Sequence, residues 1–206
     1  MAARNREVTP SGVVYVRYQR GDLRRAFLEG ARLMLRERGE ERFSLNELAR
    51  QIGVSPGSAY RHFANKEALL AAVRADAYRQ LLAELVQPWP TSLSPGRRLI
   101  LLGVRYVDFA VANVDVFFML FANRPVASET GGAETFAPLL EAVAQAQEGH
   151  VLPEADTRTV AGAIWITLHG LAVLHLSGGL NALGLDATPE VLVRRTLELQ
   201  FPLLSE

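Results

Sequence analysis

The sequence predicts an all-α protein of about nine helices, and three observations support this. Apolar residues recur at helical spacing along most of the chain, whereas no stretch alternates convincingly with the period of two that a half-buried strand would show. Glycine and proline separate these periodic segments. At 206 residues the chain suits one domain or two small ones, with enough length to bury a sizeable core.

The first long helix is delimited by its end signals. It is predicted from Asp22 to Arg38, and Gly39 ends it. Residues 1–18 carry no clear helical stripe, and the segment 13–18 is either a short extended piece or a prelude to the helix. The buried stripe of the helix is expected to comprise Leu23, Phe27, Ala31, Leu33, Met34 and Leu35.

The next stretch has the pattern of two short helices joined by a tight turn. Ser44 and Glu47 have capping-box spacing, in which each side chain satisfies a backbone N–H at a helix start. Gly53 supplies the left-handed backbone of the turn. Ser55 can cap the second helix, and Pro56 fits its first turn. This helix-turn-helix pattern is typical of proteins that place the second helix in the DNA major groove.

The remaining segments are long and mainly apolar. A helix is predicted from the N-cap Asn65 to about Val86, and a Pro-rich loop follows at 87–96. Further helices are expected at about 97–112, 115–122, 134–148, 154–177 and 188–204. Residues 160–176 come closest to the ~18 apolar residues of a membrane span, but two histidines interrupt them. Since the N-terminus also lacks the apolar region of a signal peptide, we expect a cytoplasmic protein.

Charge is unevenly distributed although the formal net charge is zero. Residues 1–80 hold 15 Lys and Arg against nine Asp and Glu, a net charge of +6. Residues 81–206 hold seven against 13, a net charge of −6. The basic N-terminal part indicates contact with a polyanion. Genome composition explains the preference for arginine over lysine as well as contact with a polyanion does.

The composition also argues against several kinds of active site. The chain has no cysteine, which excludes disulfides, thiolate metal sites and cysteine nucleophiles. His150, His169 and His175 are too dispersed for a zinc-binding pair, and no glycine-rich phosphate loop is present. We therefore expect no enzyme, no metal and no cofactor.

Three motifs resemble a known family. The recognition segment and the following helix start are similar to those of TetR-family transcriptional regulators, on the residues Val54-Ser55-x-Gly57-x-x-Tyr60-x-His62-Phe63 and Asn65-Lys66-Glu67-x-Leu69-Leu70. That resemblance covers about 20–72. The run Trp165-x-x-x-His169-Gly170 resembles the signature of one class of TetR C-terminal domains. The resemblance implies an N-terminal extension at 1–19, a helix-turn-helix DNA-binding domain at 20–66, and a ligand-binding and dimerisation domain at 67–206.

The resemblance implies contacts between the second helix and DNA. Arg61 offers a two-pronged contact with guanine and has no obvious partner within its helix. Tyr60 and His62 resemble the family's phosphate-contacting pair, although each is also consistent with an ordinary surface or packing residue. Phe63 is expected to pack in the core. The full set of expected DNA-contacting residues is Ser44, Ser55, Pro56, Gly57, Ser58, Tyr60, Arg61, His62 and Lys66.

The C-terminal part is expected to dimerise through the last two helices and to hold a small, largely apolar ligand. The expected ligand-binding residues are Tyr106, Phe109, Phe117, Phe118, Phe121, Trp165 and His169. Ordinary core packing explains the same residues. The resemblance thus implies a homodimeric repressor that a small molecule releases from a palindromic operator on double-stranded DNA. The alternative is a ligand-independent DNA-binding or assembly factor with a fully packed C-terminal domain.

Overall fold

The protein was analysed as a computed structural model. It describes residues 5–8, 14–17, 20–42, 44–90, 92–121 and 132–205. Over these residues the protein is all-α, as predicted, with ten α-helices and one short β-hairpin. The chain divides into two compact units: Met1–Ala77 with Asp115–Asn123, and Tyr78–Val114 with Arg124–Glu206.

The hairpin lies at the N-terminal end of the first unit. Strands β1 (Asn5–Val8) and β2 (Val14–Arg17) are antiparallel. In their register Asn5 lies opposite Arg17 and Val8 opposite Val14. Of the two conformations that the sequence allowed for 13–18, the extended one is present at Val14–Arg17, and residues 13 and 18 lie outside the described residues.

Four helices of the first unit follow the predicted order. They are α1 (Arg20–Arg38), α2 (Leu45–Gln51), α3 (Pro56–His62) and the start of α4 (Lys66–Leu85), with a 3₁₀ turn at Glu40–Arg42. Helix α4 begins in the first unit and continues into the second. Helix α6 (Val114–Phe121) belongs mainly to the first unit, where the Asp115 carboxylate lies 3.5 Å from Arg32 Nε on α1.

The core of the first unit forms around α1. Phe27, Ala31 and Met34 are fully buried, as the stripe predicted. The expectation for Leu33 is wrong, because its side chain is exposed. Successive helical residues differ by about 100° around the axis, so Leu33 lies outside the face that carries Met34. The left-handed backbone of Gly39 (φ +73°) follows the end of the helix.

The second unit is built around α5. Its helices are α5 (Pro95–Ala112), α7 (Ala137–Glu148), α8 (Thr157–Leu176), α9 (Gly179–Ala182) and α10 (Pro189–Gln200), with 3₁₀ turns at Glu134–Phe136 and Pro202–Ser205. Helix α5 packs against α7, α8 and α10. A Cβ atom at Gly103 would lie 2.8 Å from Leu168 and 3.0 Å from Val193, so this glycine permits the close approach of α8 and α10.

One helix of the second unit was not predicted. The single-turn helix α9 lies in the break expected at 178–186, between the left-handed glycines Gly178 and Gly184.

Helix α8 is long and apolar enough to cross a membrane by length and composition alone, a test that core helices also pass.

Candidate nucleic-acid interface

The start of α2 uses half of the predicted capping box. Ser44 Oγ accepts a hydrogen bond from the Glu47 backbone N–H at 3.2 Å. The Glu47 carboxylate is bonded instead to the guanidinium of Arg38 in the last turn of α1. A charged partner makes a stronger hydrogen bond than a neutral backbone N–H does, which accounts for the choice. The interaction connects the end of α1 to the start of α2.

The turn between α2 and α3 has the predicted backbone. Gly53 has φ +80°, a left-handed conformation that other residues adopt at a cost. Its N–H donates to Arg50 O at 3.1 Å, and the N–H of Val54 donates to Ala49 O at 2.9 Å. These bonds satisfy carbonyl groups at the end of α2 and fix the direction in which α3 begins.

Helix α3 begins at Pro56 as predicted, but its cap differs. Ser55 stands at the N-cap position without a side-chain capping bond. Its Oγ atom lies instead 2.9 Å from Ser58 Oγ. Arg61 Nη2 donates to the same Ser58 oxygen at 2.8 Å. The expectation that Arg61 lacks an intrahelical partner is therefore wrong, because residues three apart are neighbours on a helix surface.

One side of α3 is exposed and free of negative charge. Pro56, Gly57, Tyr60 and Arg61 are all exposed, and we call these four residues the α3 face. Tyr60 is 51% exposed, so part of its ring and not only its hydroxyl reaches the surface. A Cβ atom at Gly57 would meet no described atom within 4 Å. The helix contains no acidic residue, so the α3 face is suited to approach by a polyanion.

The C-terminal end of α3 is anchored to α1 by aromatic contacts. Phe63 is buried, as expected, and its ring meets that of Phe27 edge-on at 5.8 Å. The guanidinium of Arg24 lies 5.5 Å from the centre of the Phe63 ring. The half-buried ring of His62 lies 6.1 Å from that of Phe27. His62 therefore stands at the edge of the core.

Helix α4 starts directly after this anchor. Asn65 Oδ1 accepts a hydrogen bond from the Ala68 N–H at 2.8 Å, which confirms the predicted N-cap. Lys66 is the first residue of α4, four residues after α3 ends at His62. Helix N-termini carry partial positive charge, so Lys66 and the backbone here both favour an anion.

Family models match both parts of the chain. The model described as bacterial regulatory proteins, tetR family, matches residues 27–73. The model of the tetracyclin repressor-like C-terminal domain matches residues 99–199. The chain belongs to the TetR family. Its members are DNA-binding transcriptional regulators, and small-molecule ligands and dimers are usual among them. No curated protein matches the chain.

Solved structures share the fold over most of their length. A protein of unknown function from Rhodococcus sp. RHA1 is 27% identical, with a TM-score of 0.75, over 87% of this chain and 93% of that one. A TetR/AcrR-family regulator from Thermobifida fusca is 23% identical, with a TM-score of 0.61, over 89% and 97%. FadR from Bacillus subtilis, solved with stearoyl-CoA, is 17% identical, with a TM-score of 0.66, over 88% and 97%.

The ligand-binding residues predicted for this TetR-family chain fall in both units. Tyr106, Phe109, Trp165 and His169 lie in the second unit, on α5 and α8. The α6 residues belong to the first unit; Phe117 is buried, Phe121 is half-buried and Phe118 is exposed.

Three of the second-unit residues form a polar cluster in apolar surroundings, the Tyr106 cluster (Tyr106, Trp165 and His169). Tyr106 Oη lies 2.9 Å from His169 Nδ1, and the rings of His169 and Trp165 stack at 5.4 Å. Tyr106 is also hydrogen-bonded to Trp165. The indole N–H can only donate, so Tyr106 Oη accepts from it, and we assign the proton of the Tyr106 hydroxyl to the bond with His169 Nδ1.

Burial keeps the Tyr106 cluster uncharged. It raises the pKa of Tyr106 well above the ordinary value, and the bond from Trp165 offsets this only in part. Burial also lowers the pKa of His169. The neutral imidazole that results accepts at Nδ1 and carries its proton at Nε2. The cluster therefore presents a hydrogen-bond donor and no formal charge.

The second unit also carries a surface cleft. A cleft of about 570 Å³ lies on the second unit between α5 and α10, with an apolar floor that includes Ile100, Leu101 and Val104. None of the seven predicted ligand-binding residues lines it. Over the ranges that the structure describes, no group of three His, Asp or Glu residues could hold a metal ion.

Proposed function

We propose that this protein is a homodimeric cytoplasmic repressor. It binds a palindromic operator through α3 of each copy and leaves the operator when a small, largely apolar molecule binds the second unit. The observation that carries the proposal is the α3 face, an exposed, acid-free helix surface positioned by the Gly53 turn and the Phe63 anchor.

The DNA contacts divide by chemistry. Arg61 can place two N–H groups on the acceptor edge of guanine, and Pro56 and Gly57 leave room for close approach. Tyr60 and His62 are assigned to phosphate groups, which position a protein on DNA without reading sequence. The remaining phosphate contacts are assigned to helix starts, at Ser44, Ser55 and Lys66.

Dimerisation is assigned to α8 and α10. Gly162, Ile166, Gly170 and Leu174 recur every four residues on α8, so they share one face, which we call the α8 stripe. Ile166 is 67% exposed, and a Cβ atom at either glycine would meet no atom of the described chain within 4 Å. On α10, Leu199 is also exposed. A second copy would cover this apolar surface, and the glycines would let its helices approach closely.

The effector is assigned to the second unit. The Tyr106 cluster places a few polar groups among apolar residues, the usual character of a small-molecule site. Phe109 is buried on the same helix as Tyr106. The participation of Phe117, Phe118 and Phe121 stays a prediction. Because α4 runs from the DNA-binding unit into the second unit, a shift of this helix on ligand binding would move α3.

Selection of binding sequences from a random DNA pool tests the proposal. The protein is refolded from denaturant first, which removes any co-purified ligand. Recovery of an inverted repeat with half-sites about one helical turn apart, or a small multiple, would support a dimeric regulator. Arg61→Ala serves as the matched variant and should lose preference at one base pair of each half-site. Failure of the folded protein to enrich any sequence would overturn the proposal.

The recovered operator then tests release. Stearoyl-CoA, the molecule solved with Bacillus subtilis FadR, is a suitable first probe, followed by free fatty acids and metabolite extracts. Release that Trp165→Ala abolishes, while operator affinity is retained, would support the assignment of the effector. Operator binding that no probe disturbs would favour the ligand-independent factor.

A further inference from the structure

The hydroxyl of Ser58 occupies a central place in α3. Its side chain belongs to a residue only 9% exposed, whereas Ser55 and Arg61 on either side are exposed. Ser58 Oγ lies 2.9 Å from Ser55 Oγ and accepts from Arg61 Nη2 at 2.8 Å. A buried hydroxyl thus connects the N-cap of α3 to the guanidinium on its outer surface.

The chemistry of the three groups fixes part of this arrangement. A guanidinium can only donate, so Ser58 accepts from Arg61. Ser58 retains its own proton and a second lone pair for Ser55, and these suffice for the bond between the two hydroxyls. The contact occupies one of the five N–H groups of Arg61 and leaves enough for a two-pronged contact with guanine.

We propose that Ser58 is a positioning residue for base recognition: it holds the guanidinium of Arg61 in the orientation that reads a guanine. The inference rests on the proposed function. An arginine on an exposed helix samples many rotamers, and ordering it on binding reduces affinity. Ser58 orders the side chain before DNA arrives. Because Ser58 is buried and its hydroxyl is engaged by Ser55 and Arg61, we assign it this role through Arg61 in place of the direct DNA contact that the sequence predicted.

Ser55 has a lesser part in the same network. It stands at the N-cap position, but its hydroxyl is hydrogen-bonded to Ser58 and not to a backbone N–H. It therefore orients the Ser58 hydroxyl, while the acceptor for Arg61 belongs to Ser58 alone. This difference supplies a matched control, since Ser55→Ala removes an equal group from the same helix and leaves that acceptor in place.

The test uses the operator recovered by selection, together with its single-base-pair variants. Affinities are measured at several salt concentrations for the full chain and for Arg61→Ala, Ser58→Ala, Ser55→Ala and the Ser58→Ala, Arg61→Ala double variant. We expect Arg61→Ala to remove the preference at one base pair. Ser58→Ala should lower the preference at that same base pair by about two- to tenfold, the usual effect of ordering one long side chain. Ser55 is assigned to a phosphate contact, so Ser55→Ala should weaken binding to all sequences alike and retain most of the preference at that base pair.

Two further readouts separate positioning from a merely structural role. Ser58→Ala should leave the salt dependence unchanged, because phosphate contacts are intact, and it should have no further effect in the Arg61→Ala background. An equal loss of affinity for every sequence, an unchanged base preference, or an effect that persists without Arg61 would each overturn the inference. If the wild-type protein selects no sequence at all, the proposed function itself fails. If the wild-type protein selects an operator but Ser58→Ala gives one of these three results, the proposed function stands and only this inference fails.

Discussion

Lys66 is the only lysine in the chain and the first residue of α4. Each phosphate contact that a protein makes with duplex DNA releases counterions, which gives binding its salt dependence. We expect Lys66→Ala to weaken binding to operator and non-operator DNA alike. It should lower the slope of log affinity against log salt by about one. Titrations at several salt concentrations check this, and an unaltered slope would remove Lys66 from the phosphate contacts.

His169 makes stability depend on pH. Burial lowers its pKa in the folded protein below the ordinary value of 6.5, so the unfolded chain binds the proton more readily. The free energy of unfolding should therefore fall as the pH is lowered from about 6.5 through the folded pKa, and it should show no contribution from His169 above that range.

His169→Asn is the matched variant for this pH dependence, since it offers Tyr106 an acceptor but does not titrate. Urea unfolding of both proteins between pH 5 and 8 measures the difference. The two curves should converge toward low pH and separate near neutrality. Parallel curves would contradict the account of this histidine.

At the scale of elements, Gly30 sets how closely α1 approaches α2. A Cβ atom there would lie 2.7 Å from Leu48 Cδ1 and 3.1 Å from Ile52 Cγ2. Leu48 is fully buried and has little room to move. Overpacking a core costs about 1–3 kcal/mol, whereas alanine gains up to about 1 kcal/mol in helix propensity. We expect Gly30→Ala to lower the free energy of unfolding by up to about 2 kcal/mol.

Gly57→Ala is the control for this prediction, because its Cβ atom would meet no described atom. Thermal or urea unfolding without DNA should show it as stable as the wild type or more so. Equal stability of the Gly30 and Gly57 variants would mean that the contact between α1 and α2 is looser than the distances indicate.

The elements were largely predictable because their end signals are local. Gly39, Gly53 and Asn65 act through neighbouring backbone, and each ends or starts a helix as expected. The partners of charged side chains were not predictable in this way. Glu47 pairs with Arg38 on another helix, and no local pattern reports that contact.

Another contact of this kind holds the loop after α4. Arg105 on α5 donates to Gln87 O at 2.8 Å and to Pro88 O at 3.3 Å, and its guanidinium lies 4.1 Å from the centre of the Trp89 ring. The sequence indicated a loop here from its prolines. Its anchoring depends on a residue 18 positions away along the chain from Gln87, which only the fold brings near.

In the candidate site, sequence reasoning located the elements better than the contacts. The spacing of Ser55, Ser58 and Arg61 is visible in the sequence, and residues three apart on a helix could have suggested their network. The division of the aromatic residues between two units could not be read from spacing, since α6 follows α5 directly but belongs mainly to the first unit.

For the whole molecule, the α8 stripe carries a prediction about assembly. An acidic residue at Ile166 or Leu174 would place charge in the proposed interface, where it would be desolvated without a partner. We expect Ile166→Glu and Leu174→Glu to convert a dimer into a monomer and to reduce operator affinity at least tenfold, an order-of-magnitude estimate from the loss of one half-site.

Sedimentation and operator titration measure both effects. Leu183→Glu is the control, because Leu183 is 72% exposed but lies outside α8, after α9. It should leave the dimer intact. A dimer that tolerates both stripe substitutions would place the interface elsewhere.

The central claim is that α3 of two copies lies in the major groove of an operator, and the absence of cysteine permits a direct measurement. Ala64→Cys, at an exposed position two residues after α3, is labelled with a DNA-cleaving iron chelate, and Leu183→Cys in the second unit serves as the control. The account predicts cleavage of the selected operator at two symmetric positions, one in each half-site, from the Ala64 label alone. Operator binding without cleavage from that label, or the same cleavage from the Leu183 label, would contradict it.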